Sequence, residues 1–233
     1  QGLAVPPRNR FFVEFGFRPL RGMLGADSNS EYLRRLGWRG VAFDETNEDS
    51  AWPLYRETIT MDNVIGVFER HGIPRELGII SIDIDSCDFW VFLRLAAVYR
   101  PHIYQVEYNR HFRFHDNVTL DCRLGAGGSL GWHETPPNEL YGASIQALAS
   151  AAHSQGYSVV WVERCFDIFF VRQDLICDGT ELPSLEPFRD FTLYEGGCLD
   201  PWGRLAEPAS SDERQRWLVD VGIEGPEIFE ELG

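Results

Sequence analysis

The chain contains no lysine, so all 21 of its positive charges are arginine. Lysine nucleophiles and Schiff-base chemistry are therefore excluded. Positive charge is scarce overall: 36 acidic residues leave a net charge of −15. That balance opposes nucleic-acid binding and adsorption to anionic membranes, both of which draw on clustered basic side chains. Long apolar runs are missing as well. A stretch such as DIFFV, Asp167 to Val171, is far too short to span a bilayer, so no membrane insertion is expected. The five cysteines (Cys87, Cys122, Cys165, Cys177 and Cys198) are odd in number and show no CxxC spacing. Reduced, mostly buried thiols are expected rather than a disulfide framework or a zinc site. The chain begins at Gln1, which fits a truncated chain or a mature form that has lost a targeting segment, in a cytoplasmic or organellar setting.

What is present is enough apolar and aromatic content, 44% and 13%, for one sizeable core. Short apolar runs alternate with amphipathic segments. FFVEFG (Phe11 to Gly16) reads as a strand. SNSEYLRRLG follows as a helix opened by the capping pair Ser28 and Glu31 and closed by Gly37. GVAFD (Gly40 to Asp44) and LYRETIT read as strands. MDNVIGVFERHG is a helix with Val64, Val67 and Phe68 on one face, and GIISIDID is the fourth strand. Phe89, Phe92, Leu93, Ala96 and Ala97 then form the stripe of a helix packed on a sheet. Strand HIYQVEY leads into a polar loop, Asn109 to Pro137, with no strand expected in it. A helix follows in which Tyr141, Ile145, Leu148 and Ala152 share a face, and YSVVWVE and DIFFVRQD close as a hairpin. This order predicts a three-layer α/β fold with a mostly parallel sheet, covered on both faces and finished by an antiparallel strand. The α/β domain is expected over residues 1–177. Residues 178–233, with 14 acids against four arginines, read as an irregular acidic extension and a candidate protein-partner surface.

Ligands in such sheets bind beyond the carboxyl ends of the strands. Acids gather there: Glu14 and Gly16 after the first strand, Asp44 after the second, Asp83 and Asp85 after the fourth, Glu107 and Asn109 after the fifth. Asp88 falls in the first turn of a helix, where a carboxylate meets unpaired amides and the positive end of the helix dipole, so its role is structural. Asp85 suits either an N-cap or the crevice, and Asp83 has no capping role. Glu107, Asn109 and Asp83 could hold a hard cation or orient a substrate by hydrogen bonds, and no metal ligands are assigned. An apolar strand ending in Asp-x-Asp also fits a metal-dependent glycosyltransferase. His111, His115 and His133 in the following loop rank below the carboxylates.

Taken in order, EFGF, SNSEYL with GWRGVAFD, ETITMDNV, SIDIDSCDFWVF, YRPHIYQVEYN and YGASIQALA resemble a group of S-adenosylmethionine-dependent methyltransferase-like proteins related to the FkbM-type family, over about Phe11 to Leu175. The resemblance implies a Rossmann-like class I methyltransferase fold with a seven-stranded sheet, and S-adenosylmethionine as cofactor. It implies that Glu14 and Gly16 form the first cofactor loop, that Asp44 takes the ribose hydroxyls and that Asp62 and Asn63 lie along the adenine. Asp83 and Asp85 would stand beside the methionine moiety and the reacting centre, and Glu107 and Asn109, which strand alternation points the same way, are the further candidate catalytic residues. One departure is Arg18, where such enzymes carry a second glycine. The leading expectation is methyl transfer to a small-molecule or sugar-like acceptor. The alternatives are a catalytically lapsed subunit of a larger assembly and the glycosyltransferase using Asp83 and Asp85.

Overall fold

The structure is a computed structural model that describes residues 9–17, 28–124, 140–192 and 210–221. In chain order its elements begin with β1 (Phe11–Phe15), α1 (Glu31–Arg35), β2 (Arg39–Asp44), β3 (Leu54–Arg56), α2 (Val64–Arg70), β4 (Ile79–Ile82) and α3 (Asp88–Ala96). They continue with β5 (Ile103–Glu107), β6 (Val118–Leu120), α4 (Ile145–Ser154), β7 (Tyr157–Val162), β8 (Asp167–Arg172), α5 (Ser211–Trp217) and β9 (Leu218–Asp220). No helix among the described residues is long and apolar enough to cross a membrane.

Seven strands form one sheet in the order β3-β2-β1-β4-β5-β8-β7. The first five in sequence run parallel, and β8 is antiparallel to both β5 and β7. The expected mostly parallel sheet with a terminal hairpin is therefore present. The strand order reverses between β1 and β4, so the carboxyl ends of these two strands flank the topological switch point.

One face of the sheet carries Val13, Phe15, Val41, Phe43, Ile80, Ile82, Tyr104, Val106, Ile168 and Phe170, all in one buried cluster with residues of α2, α3 and α4. Val64, Val67 and Phe68 of α2 are buried as their spacing predicts. The Phe68 ring packs at 5.9 Å from Phe15 and 4.7 Å from Tyr99. Three-layer coverage is not reproduced among the described residues. None of the residues of α1 is buried, and no helix separates β2 from β3. The reason lies in the segment 45–53, rich in turn formers, which closes with an Asp49–Leu54 bridge instead of an amphipathic run.

The stripe assigned to α3 understates its burial. Phe89, Trp90, Val91, Phe92, Leu93, Leu95 and Ala96 are all buried, while Ala97 is exposed. Covering so many large side chains contributes about 1.5–3 kcal/mol for each. The outer side of α3 is closed by two short strands that the sequence pattern does not predict. β6, from the Asn109–Pro137 loop, pairs antiparallel with β9, from the acidic extension. Trp90 Nε1 donates to the Leu120 carbonyl at 2.6 Å, and the Arg123 guanidinium lies 5.1 Å over the Trp90 ring. Strands of three residues carry too little periodicity to be recognised in sequence.

The cysteine expectation is overturned at the same place. Cys87, at the N-terminus of α3, is disulfide-bonded to Cys122 just past β6, with a Cα–Cα distance of 6.0 Å. Cys165 is also disulfide-bonded, and Cys177 is free and exposed. The 35-residue separation between Cys87 and Cys122 follows no linear motif; tertiary packing of β6 against α3 brings the thiols together.

Beyond residue 178 the described chain packs on the body. Phe188 is buried, and the Tyr108 hydroxyl donates to the Phe191 carbonyl at 2.8 Å. α5 opens with a full capping box between Ser210 and Glu213. Val219 and Val221 are buried in the main cluster.

Candidate functional site

Strand register builds a polar face opposite the helix-covered one. Glu14 pairs with Ala42 and Ser81, Ser81 with Gln105, and Glu107 with Asp167. Residues directly opposed across strands project to the same face, and the face recurs every second residue. Asp44, Asp83 and Glu107, each two residues beyond Ala42, Ser81 and Gln105, thus return to the side of Glu14. This convergence was expected from the sequence.

Glu14 is almost fully buried, and its carboxylate is committed to the chain itself. It accepts from Ser28 Oγ at 2.8 Å, from the Asn29 amide at 2.8 Å, from the Ser30 amide at 3.1 Å and from Ser30 Oγ. Burial pushes its pKa up, and the serine hydroxyls and amides work against that rise. Ser28 Oγ in turn accepts from the Glu31 amide at 3.1 Å, so the acid holds the entry to α1.

Gly16 has φ +79°, and a Cβ there would lie 2.2 Å from the Asp83 carbonyl oxygen. The space a side chain would fill is taken by the backbone leaving β4, so this glycine joins the two sides of the switch point. Gly16→Ala combines a disfavoured φ with a backbone clash and is expected to destabilise the fold by about 3 kcal/mol or more. A shift of the urea midpoint measures that cost, and an unchanged midpoint would contradict the close approach.

Asp44 closes β2 with one oxygen fully engaged. Its Oδ1 accepts from the Thr46 and Asn47 amides at 2.9 and 2.6 Å, and from Thr46 Oγ1 and Asn47 Nδ2 at 2.9 and 2.7 Å. Among the described residues nothing donates to its Oδ2. Farther along, Asn63 binds its own loop, accepting from the Thr60 amide and donating to the Thr58 carbonyl, each at 2.8 Å. Asp62 beside it is exposed.

The densest feature lies where β4 and β5 end. Oxygen atoms of Asp83, Asp85 and Glu107 lie within 4.8 Å of one another. At that spacing each pair of ionised carboxylates repels by about 3 kcal/mol, for an effective dielectric of about 20. Glu107 Oε2 is fully buried and has no hydrogen-bond partner among the described residues. Desolvation raises the Glu107 pKa well above the usual carboxylate range, and the charges of Asp83, Asp85, Asp88 and Asp167 add to the rise. Asp85 is not the N-cap of α3: Cys87 holds that position, and Asp85 has a left-handed backbone with φ 54°. Asp88 is structural, as expected. It bonds back to the loop, accepting from the Ile84 and Ser86 amides at 2.7 and 3.0 Å, and burial raises its pKa to about 6.

Asn109 is buried and bonds to backbone groups of its own chain. Its amide donates to the Tyr141 carbonyl and its carbonyl oxygen accepts from the His111 amide, both at 2.8 Å, fixing the chain as it leaves β5. His111 is buried with its ring 5.9 Å from that of Tyr141, and His115 is exposed. The sequence reading missed Asp167, which starts β8 opposite Glu107 and accepts from Gln105 Nε2 at 2.8 Å. Its signal was the antiparallel hairpin, which brings the start of a strand to the rim where parallel strands end. Tyr141, assigned to a helix face, precedes α4, and burial together with the Glu107 charge raises its pKa well above the usual range.

Arg18 and His133 lie outside the described residues. A scan of the chain against models of known protein families finds no match, and a search of curated proteins finds none either.

Proposed function

We propose that the chain is a methyltransferase that binds S-adenosylmethionine at the β1–β4 switch point and methylates a small-molecule or sugar-like acceptor. The observation that carries this reading is the combination of strand order and acid placement. The sheet, ordered β3-β2-β1-β4-β5-β8-β7, has seven strands with its last, β8, reversed, and the resemblance of EFGF, GWRGVAFD and SIDIDSCDFWVF implies for a class I methyltransferase seven strands with an antiparallel last one. Asp44 then stands at the end of β2, beside the crevice, where an acid would take ribose hydroxyls.

The residues present fit such a cofactor in one respect above all. Thr46 and Asn47 lock Asp44 Oδ1, which fixes the direction of Oδ2 as an acceptor for a diol. S-adenosylmethionine supplies an electrophilic methyl on a sulfonium, and the chain needs only to align an acceptor with it. Glu14 and Gly16 serve by shaping the rim rather than by offering free groups, because the carboxylate of one and the missing Cβ of the other are both used internally.

Calorimetric titration of the full chain with S-adenosylmethionine and with its demethylated product tests this reading. One site per chain is expected. Asp44→Asn keeps an acceptor for the Thr46 and Asn47 donors but removes the charge, and it should weaken binding roughly tenfold or more, the worth of a charged hydrogen bond. No heat with either ligand would overturn the proposal. The lapsed-subunit reading takes some support from the acidic extension, but residues 210–221 are built into the body of their own chain.

A further inference from the structure

We propose that Asp83, Asp85 and Glu107 form a binding site for one hard divalent cation of the magnesium, manganese and calcium class. The three side chains come from the ends of two adjacent parallel strands, and their nearest oxygens fall within 4.8 Å of one another. Oxygens around a single cation at metal–oxygen distances of about 2.1–2.4 Å are separated by at most roughly 4.2–4.8 Å, so one ion spans the set.

The second, independent observation is Glu107 Oε2, a fully buried carboxylate oxygen with no hydrogen-bond donor among the described residues. A buried charged oxygen without a partner is costly, and this one belongs to a side chain of the acidic group. Of the four acids around it, the two outside the proposed set are accounted for: Asp88 by the Ile84 and Ser86 amides, Asp167 by Gln105. Glu107 Oε2 is left to be satisfied by a proton or a cation. The donor set names the metal class. All three ligands are carboxylates and, among the described residues, no histidine or cysteine joins the group, which favours hard cations over zinc or copper.

This inference does not depend on methyl transfer, and its test uses no methyl donor. The full chain is titrated with Mn2+ alone at neutral pH by calorimetry, and thermal unfolding is followed with and without the ion. The expected result is one Mn2+ per chain with a Kd below roughly 1 mM and a rise in Tm. Glu107→Gln keeps size and removes charge, and should weaken binding about tenfold or more and abolish the Tm rise. Asp85→Asn gives a second variant suited to the backbone, since asparagine tolerates the left-handed φ of this position. Asp174→Asn, at an exposed ion pair with Arg172, should bind as the parent does. Absence of Mn2+ binding in the parent, unchanged affinity in both site variants, or equal loss in Asp174→Asn would overturn the site and leave protonated Glu107 as the description.

Discussion

Removing the Cys87–Cys122 bridge by replacing both residues with alanine is expected to destabilise the fold by roughly 4 kcal/mol. The figure follows from the loop entropy of a 35-residue separation. For a chain of this size it corresponds to a fall in Tm of about 10 °C. The bridge also fixes one end of α3 to the strand that covers its outer side, so its loss loosens the turn that carries Asp85. Urea and thermal unfolding of the double alanine variant alongside the parent, both without reductant, measure the effect. Cys177→Ala is the control, because that thiol is free and exposed and should change stability by less than about 0.5 kcal/mol. Equal stability of parent and double variant would show that the bridge contributes nothing.

Stability is expected to rise as the solution is acidified from pH 7 toward 4.5, the reverse of ordinary acid denaturation. Asp88 and Asp167 are the cause. Burial raises both to about 6 from an ordinary 3.8. A carboxyl whose folded pKa lies above its unfolded value favours the fold when protonated. Its contribution is complete below about pH 4 and is lost as the pH climbs through 6. The linkage relation gives roughly 4 kcal/mol for the two together between pH 7 and 4.5. The groups facing them keep the sign: Asp85 lies near Asp88, while Glu163 and Glu14 lie near Asp167, and all three raise the pKa of their neighbour. Glu31, Glu57 and Asp174 are shifted downward by arginine partners and act oppositely, but they titrate at lower pH. His102, lowered chiefly by burial, also acts oppositely and offsets part of the gain. Urea midpoints across this range provide the check, and a profile that falls with acid would refute it. Asp88→Asn should flatten the profile. It should also destabilise the protein at every pH, since an amide cannot accept from both the Ile84 and Ser86 N–H groups.

The sequence exposed most of the large sheet because its strands end in chemically distinct residues. VEFG, GVAFD, SIDID and VEYN each pass from buried apolar side chains to an acid, and register then sets those acids on one face. α2 was legible for a similar reason: Val64, Val67 and Phe68 have the spacing of a helix buried on one side. α3 was misjudged because its outer cover comes from β6 and β9, elements of three residues each, brought together by a pairing between positions 118–120 and 218–220. The disulfide stayed hidden for the same reason. At the site, the positions of Asp83, Asp85 and Glu107 could be read, but what satisfies each neighbour could not. That Glu14 and Asn109 bind their own chain, and that Asp167 reaches the same rim from an antiparallel strand, depends on turns and loops whose hydrogen bonds have no periodic signature.

The pairing of β6 with β9 also constrains how the molecule can be made. On the ribosome, α3 and its sheet can assemble as soon as β5 has emerged, yet the strand that completes the cover beside Trp90 is synthesised far later. Until then the nascent chain displays an indole and its aliphatic neighbours to solvent, a surface that chaperones would bind and that premature termination would leave bare.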